Sequence, residues 1–125
     1  MGIGRLLVLL LICAGLASCA RASDDAVRGF FEALDRGDTQ KALSHFSPEL
    51  RRKFSDETLR GEAERWTETM REHGGLGEVE LDGGVVTYNV LAFYKVTLVF
   101  HDGKTRSLSV TLSHVDGEWY INAAV

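Results

Sequence analysis

The chain has 125 residues, 14 of them basic and 18 acidic, for a net charge of −4. That length suits one domain with a real hydrophobic core, and the acidic balance, with no basic patch interleaved with aromatics, argues against nucleic acid as a partner. Residues 1–5 carry one positive charge, Arg5, and residues 6–16 (LLVLLLICAGL) are uncharged and almost wholly apolar. A positive start followed by a short apolar run is the pattern of a secretory signal. The run is too short for a spanning helix, which needs roughly 20 residues.

Leu16-Ala17-Ser18-Cys19 resembles the bacterial lipobox, a branched apolar residue and two small residues ahead of a cysteine. The resemblance implies diacylation of the Cys19 thiol, cleavage before it and acylation of the new amino terminus. The chain then divides into a signal peptide (1–18), the lipidated Cys19 with a short tether (19–23) and one domain (24–125). Two or three acyl chains hold a protein on a membrane where one gives only marginal binding. The bland alternative is an ordinary signal cleaved near Ala17 or Ala20, with Cys19 incidental. Myristoylation is excluded, because its pattern wants Ser or Thr where Leu6 stands. The implied location is the cell envelope. Because Ala20 and not an aspartate follows Cys19, it is the outer membrane facing the periplasm in a two-membrane bacterium. Beyond the signal, 13 basic and 18 acidic residues remain. Cys13 leaves with the signal and Cys19 is blocked by lipid, so no disulfide supports the 107 mature residues.

Ser23-Asp24-Asp25 supplies N-cap candidates, and Val27, Phe30, Phe31 and Leu34 follow at i, i+3, i+4, i+7 as one apolar helix face. Gly37 ends that helix. Ala42, Leu43 and Phe46 mark a second short helix, stopped at Ser47-Pro48; Leu50 and Phe54 continue a helical turn. Ser55-Asp56 caps a third helix carrying Leu59, Ala63, Trp66 and Met70, closed by Gly74-Gly75. From Leu76 the period becomes two. Val79 and Leu81 alternate with acids, and Gly83-Gly84 is predicted to turn the chain. Val86, Tyr88, Val90, Ala92, Tyr94, Val96, Leu98 and Phe100 then share one phase over a strand of unusual length, expected to bend or bulge.

Burial selects among the turns. A two-residue Asp116-Gly117 loop puts His114 opposite Trp119, Leu112 opposite Ile121 and Val110 opposite Ala123. A three-residue loop over 101–103, with Gly103 left-handed, puts Val96 opposite Leu108 and Tyr94 opposite Val110. A slip of one residue would turn the apolar side chains to the wrong face. The prediction is α+β: about three N-terminal helices on one face of a curved four-stranded antiparallel meander, with Ser, Thr, Lys95 and Asn122 on the other face. Trp66, Phe30, Phe31 and Trp119 are expected to meet in the core.

The helix-then-meander order resembles the nuclear-transport-factor-two-like superfamily, a cystatin-like α+β cone, and within it the bacterial lipoproteins. The resemblance is carried by Phe30-Phe31-Glu32-Ala33-Leu34-Asp35-Arg36-Gly37-Asp38 at the start and Asp116-Gly117-Glu118-Trp119-Tyr120-Ile121 at the end. It implies a cone that in some members encloses an enzymatic or ligand pocket, and in others a sheet face that dimerises or binds partners. Fold alone does not decide among these.

The possible pocket residues are Tyr88 and Tyr94 on the inward phase, with His114 and Trp119. An isomerase-like site needs a carboxylate converging with them, and none lies on the inward phase of these strands. The tyrosines therefore read as core aromatics with satisfied hydroxyls, and His114 as an edge residue over Trp119. His45, His73, His101 and His114 are scattered, without metal-ligand spacing, and no cofactor motif appears. The expected function is a non-enzymatic, membrane-anchored binding or interaction module. Its partners would be the membrane through Cys19, a second copy or an envelope protein through the sheet face, or a small apolar ligand. The alternative is a small-molecule isomerase or hydratase using Tyr94 and His114.

Overall fold

A computed structural model describes residues 22–88 and 90–125; the stretch expected to be a signal, and Cys19, lie outside the described residues. Among the described residues four helices precede four strands. Helix α1 occupies residues 22–36, α2 Thr39–Ser44, α3 Pro48–Lys53 and α4 Asp56–Glu72. Strands β1 (Leu76–Thr87), β2 (Leu91–Phe100), β3 (Thr105–Val115) and β4 (Glu118–Ala124) form one antiparallel meander in the order β1-β2-β3-β4. The expected α+β architecture is present. No helix among the described residues is long and apolar enough to cross a membrane.

The helix boundaries follow local chemistry. The α1 C-terminus is a Schellman motif: Gly37 (φ +71°) and Asp38 donate back to the carbonyls of Leu34 and Ala33. The side chains of Asp38, Ser47 and Ser55 cap the next three helices by accepting from backbone N–H groups three residues on. The turn expected around Leu50 is thus a helix of its own. Ser23, read as a cap at the end of the tether, is instead inside α1 and fully buried.

The main correction lies in the sheet. Gly83-Gly84 does not reverse the chain. It sits within β1 as a bulge, pairing shifting by one between Gly83 and Val85, with both glycines at positive φ. The reversal comes at the far end of β1, where Thr87 opposes Leu91 and Val90 N–H donates to Thr87 C=O at 3.1 Å. The single long strand is therefore two strands. The physical reason is pairing. A turn at 83–84 would leave much of β2 without a partner on one edge. The later turn gives residues 91–100 partners in β1 while β3 fills the other edge. Tyr88, placed on the inward phase by the alternation, is consequently a turn residue with φ +53° and 92% exposure.

The other hairpins follow the predicted registers. Val96 opposes Leu108 and Tyr94 opposes Val110, around a 101–103 loop with Gly103 at φ +85°. His114 opposes Trp119 and Leu112 opposes Ile121 across Asp116-Gly117, both left-handed. One pair departs. A shift between Thr111 and Leu112 brings Ala124, not Ala123, opposite Val110. Asn122, expected among the residues of the polar face, accepts a hydrogen bond from Ser47 Oγ at 3.0 Å. Beside it, Ser47 N–H donates to Ile121 C=O and Ile121 N–H to His45 C=O, and Phe46 forms a one-residue parallel bridge to Ile121. The β4 edge is covered there rather than left open to pair with another chain.

Phe31, Leu34, Met70, Leu98, Leu112 and Ile121, each less than 2% exposed, fill the space between helices and sheet. Phe30, Phe31 and Phe46 meet edge to face, and Phe31 meets Trp66 at 6.2 Å between ring centroids. Trp66 and Trp119 are only partly buried against this core. Trp66 is covered by Arg106, whose guanidinium stands 4.9 Å from its ring centroid. At the end of the sheet where β2 turns into β3, His73 stacks on Phe100 and its Nδ1 lies 2.7 Å from Asp102 Oδ2. That hydrogen bond and another from the Lys104 N–H hold the Asp102 carboxyl below the ordinary carboxylate range.

These positions rank the aromatic residues. Phe31→Ala removes a fully buried ring, which costs about 3–5 kcal/mol, and at roughly 4–8 °C per kcal/mol should lower the melting midpoint by more than about 10 °C. Trp119→Ala, at the rim, should cost less than half as much. Paired thermal melts check the order, and equal losses would contradict the placement of Trp119.

Candidate functional site

The four expected pocket residues do not converge. Tyr88 is at the β1–β2 turn, exposed. His114 and Trp119 stack at 4.6 Å with 24° between their planes. Tyr94 pairs with Val110, four strand positions from His114, or about 14 Å at ~3.4 Å per residue.

Tyr94 acquires a different setting, one the strand alternation alone does not contain. It is 5% exposed, and Gly84 lies flat against its ring; a Cβ there would come within 3.1 Å of Cε1. The hydroxyl donates to Asp24 Oδ1 at 2.5 Å and stands 2.6 Å from Ser23 Oγ. Both partners come from the first turns of α1. A carboxylate does reach the inward tyrosine, from the helix instead of a strand. Burial first, and then the bond to Asp24, push the phenol up to about 12. A phenol so held stays protonated at neutral pH and cannot act as a base there. Its donor is already used by Asp24. The cluster clasps α1 to β2.

A second feature absent from the expected set is His45. Its Nε2 is buried with no hydrogen-bond partner among the described residues. Burial, then the charge of Lys41, lowers its pKa, so it is neutral near pH 7. It borders a depression of about 380 Å³ shared with Ala22, Asp25, Lys41, Glu118 and Trp119. No cluster of His, Cys, Asp or Glu that could hold a metal occurs among the described residues.

A further depression crosses the sheet face turned away from the helices. It measures about 550 Å³ and is lined by Asp82, Phe93, Lys95, Ser107, Ser109 and Thr111, with Val125 at its end. Phe93 is 44% exposed there. The strand phase opposite to Ala92 and Tyr94 puts Phe93 and Lys95 on this face. The alternation already marked the face as polar but gave no reason to single out Phe93.

The clasp yields a titration signature. Tyr94 contributes stability in full below pH ~10, the ordinary phenol value, and loses it as pH rises toward 12, because the folded state favours the protonated form. Alkaline absorbance should show one tyrosine titrating near 12, missing in Tyr94→Phe. That variant should be less stable at pH 7 by about 1–2 kcal/mol. A titration curve unchanged by the substitution would contradict the clasp.

Two solved structures share the fold. A solved structure from Campylobacter jejuni, put forward as an NTF2-like transpeptidase, superposes with a TM-score of 0.70 at 17% identity, covering 80% of this chain and 96% of its own. A SEC-C motif containing protein from Rhodopseudomonas palustris superposes with a TM-score of 0.61 at 16% identity, covering 85% and 79%. At such identities the likeness speaks to fold alone, and the fold is NTF2-like. No curated protein matches the chain. The family profile described as Domain of unknown function (DUF4878) matches residues 16–122. With nearly all of its described residues inside that match, the chain belongs to the DUF4878 family and carries its domain on an NTF2-like fold.

Proposed function

We propose that the chain is a lipid-anchored, non-enzymatic module of the cell envelope, held through Cys19, that docks an envelope protein or a second copy on the outer face of its sheet. The observation that supports this most is Phe93, a large ring 44% exposed in the groove beside Lys95 and a row of hydroxyls. A half-exposed aromatic in a polar-rimmed depression has the composition of a docking hot spot. The anchor rests on Leu16-Ala17-Ser18-Cys19, and Ala20 favours the outer membrane of a two-membrane bacterium. A small apolar ligand in the same groove is a variant of this reading.

The isomerase or hydratase alternative has less support. Asp24 supplies the carboxylate that the strands lack, but it is bonded to Tyr94 and the two do not face a common space with His114. Large core side chains occupy the volume between helices and sheet.

Two variants in cells test the proposal. Cys19→Ser should move the protein out of the membrane fraction after a high-salt wash, whereas the unaltered chain fractionates with the outer membrane. Phe93→Asp should stay anchored but lose roughly tenfold or more of its cross-linking to a partner or to itself. Retention of Cys19→Ser on membranes would overturn the anchor, and unchanged cross-links in Phe93→Asp would overturn the docking face.

A further inference from the structure

We propose that the β1–β2 hairpin tip, through Val86, Tyr88 and Val90, inserts into the interfacial layer of the membrane that carries the Cys19 anchor. This rests on the anchor reading above and adds an orientation to it.

The tip is apolar and uncovered. Val86 is 40% exposed, Val90 52% and Tyr88 92%. In a chain with 26% charged residues, the twelve from Gly83 to Tyr94 (GGVVTYNVLAFY) include no Asp, Glu, Lys, Arg or His. Tyr88 holds a left-handed backbone at φ +53°, a conformation uncommon for a bulky side chain. A soluble turn exposing two valines and a tyrosine at alternate positions is unfavourable unless something covers them.

The fold brings the tip to the end of the domain where the anchor enters. Ser23 and Asp24 are bonded to Tyr94, at the tip end of β2. Ala22 and Asp25 share a depression with Gly117 of the β3–β4 turn and Glu118 at the start of β4. His114 N–H, beside that turn, donates to Val90 C=O at 2.8 Å. The start of α1 and the two turns therefore lie together. The opposite end is tied differently, by Asp35 Oδ1 accepting from Leu76 N–H and by His73 with Asp102. Cys19 precedes Ala22 by three residues, a reach of at most ~10 Å. Acyl chains on Cys19 would hold this end, and not the other, against the lipid.

The chemistry of the tip suits the interface. Tyrosine prefers the headgroup level, where its ring is buried and its hydroxyl stays wet. Among the described residues, the charged neighbours at this end are Asp24, Asp25, Lys41, Asp116 and Glu118, an acidic balance that the adjoining Arg21 of the sequence does not reverse and that gains little from anionic lipid. The contact is therefore apolar and insensitive to salt. A second copy is a poorer occupant, since three side chains fall well short of the ~800 Å² per partner that a stable interface needs.

The test uses the full acylated chain with a nitrobenzoxadiazole probe on Tyr88→Cys, and on Lys104→Cys at the opposite end. Each is reconstituted into phosphatidylethanolamine–phosphatidylglycerol vesicles, and intact mass confirms the acyl chains. The probe at 88 should brighten roughly twofold or more on vesicles, shift to the blue and be quenched by lipids brominated on the acyl chain, equally at low and high salt. The probe at 104 should do none of these. Acylated, vesicle-bound protein whose probe at 88 behaves like that at 104 overturns the insertion and leaves the anchor standing. A blue shift at 88 that grows with protein concentration without vesicles assigns the tip to a second copy and also overturns it. A mass lacking acyl chains overturns the anchor reading and the insertion together.

Discussion

The pairing of β2 along both of its edges is the constraint on which the other elements depend. Every residue from 91 to 99 has a partner in β1 and in β3, and Phe100 N–H reaches Lys104 C=O beyond them. Backbone groups at the centre of the sheet are then bonded, as burial requires. With that register set, alternation assigns the two faces. Ala92, Tyr94, Val96, Leu98 and Phe100 turn inward, none more than 5% exposed. Phe93, Lys95 and Thr97 turn outward and make the groove face. The glycine bulges in β1 belong to the same arrangement. Gly77 and Gly84 each take up one extra residue against β2, and at both a Cβ would come to 3.1 Å, tight against the Val99 carbonyl or the Tyr94 ring.

Tyr94 carries this constraint into the helical layer. Its hydroxyl receives the start of α1, while Asp35 near the other end of that helix caps Leu76 N–H at the start of β1. The helix is thereby pinned at two points to the first hairpin. Arg28, between them, donates to the Val79 carbonyl at 2.6 Å. The consequence is polarity along the domain. One end gathers the amino terminus of α1 and two turns, and the other is closed by Gly74-Gly75, His73 and Asp102. Helices cover one sheet face and leave the other open. Large side chains fill the space between helices and sheet, while the open face, the tip end and the rim depressions are exposed.

Much of this was legible before the structure. Period-3.6 stripes located α1, α2 and α4. Turn chemistry combined with burial selects the register of the β2–β3 hairpin, including the left-handed Gly103, and that of the last hairpin as far as the shift at Thr111. Two of the departures have one cause each. Gly83-Gly84 carries the residues of a turn, but a left-handed glycine serves a bulge equally well, and only the demand of β2 for a second partner decides between them. Tyr88 shares the phase of Val86 and Ala92, which reads as inward, but phase carries no information past a reversal. The clasp was hidden for another reason. Ser23 and Asp24 satisfy every local criterion for a helix cap, and their partner lies about 70 positions away in sequence. The groove was half legible, as the polar face of the meander, while Phe93 within it looked like one more strand aromatic.

The register of β1 against β2 is the claim from which the faces, the clasp and the exposed tip all follow. Cross-strand nuclear Overhauser contacts in the domain measure it directly. Contacts linking Leu81 with Val96, Val79 with Leu98 and Val86 with Ala92 are the predicted result. Contacts linking Leu81 with Val86 across a Gly83-Gly84 turn would contradict the account.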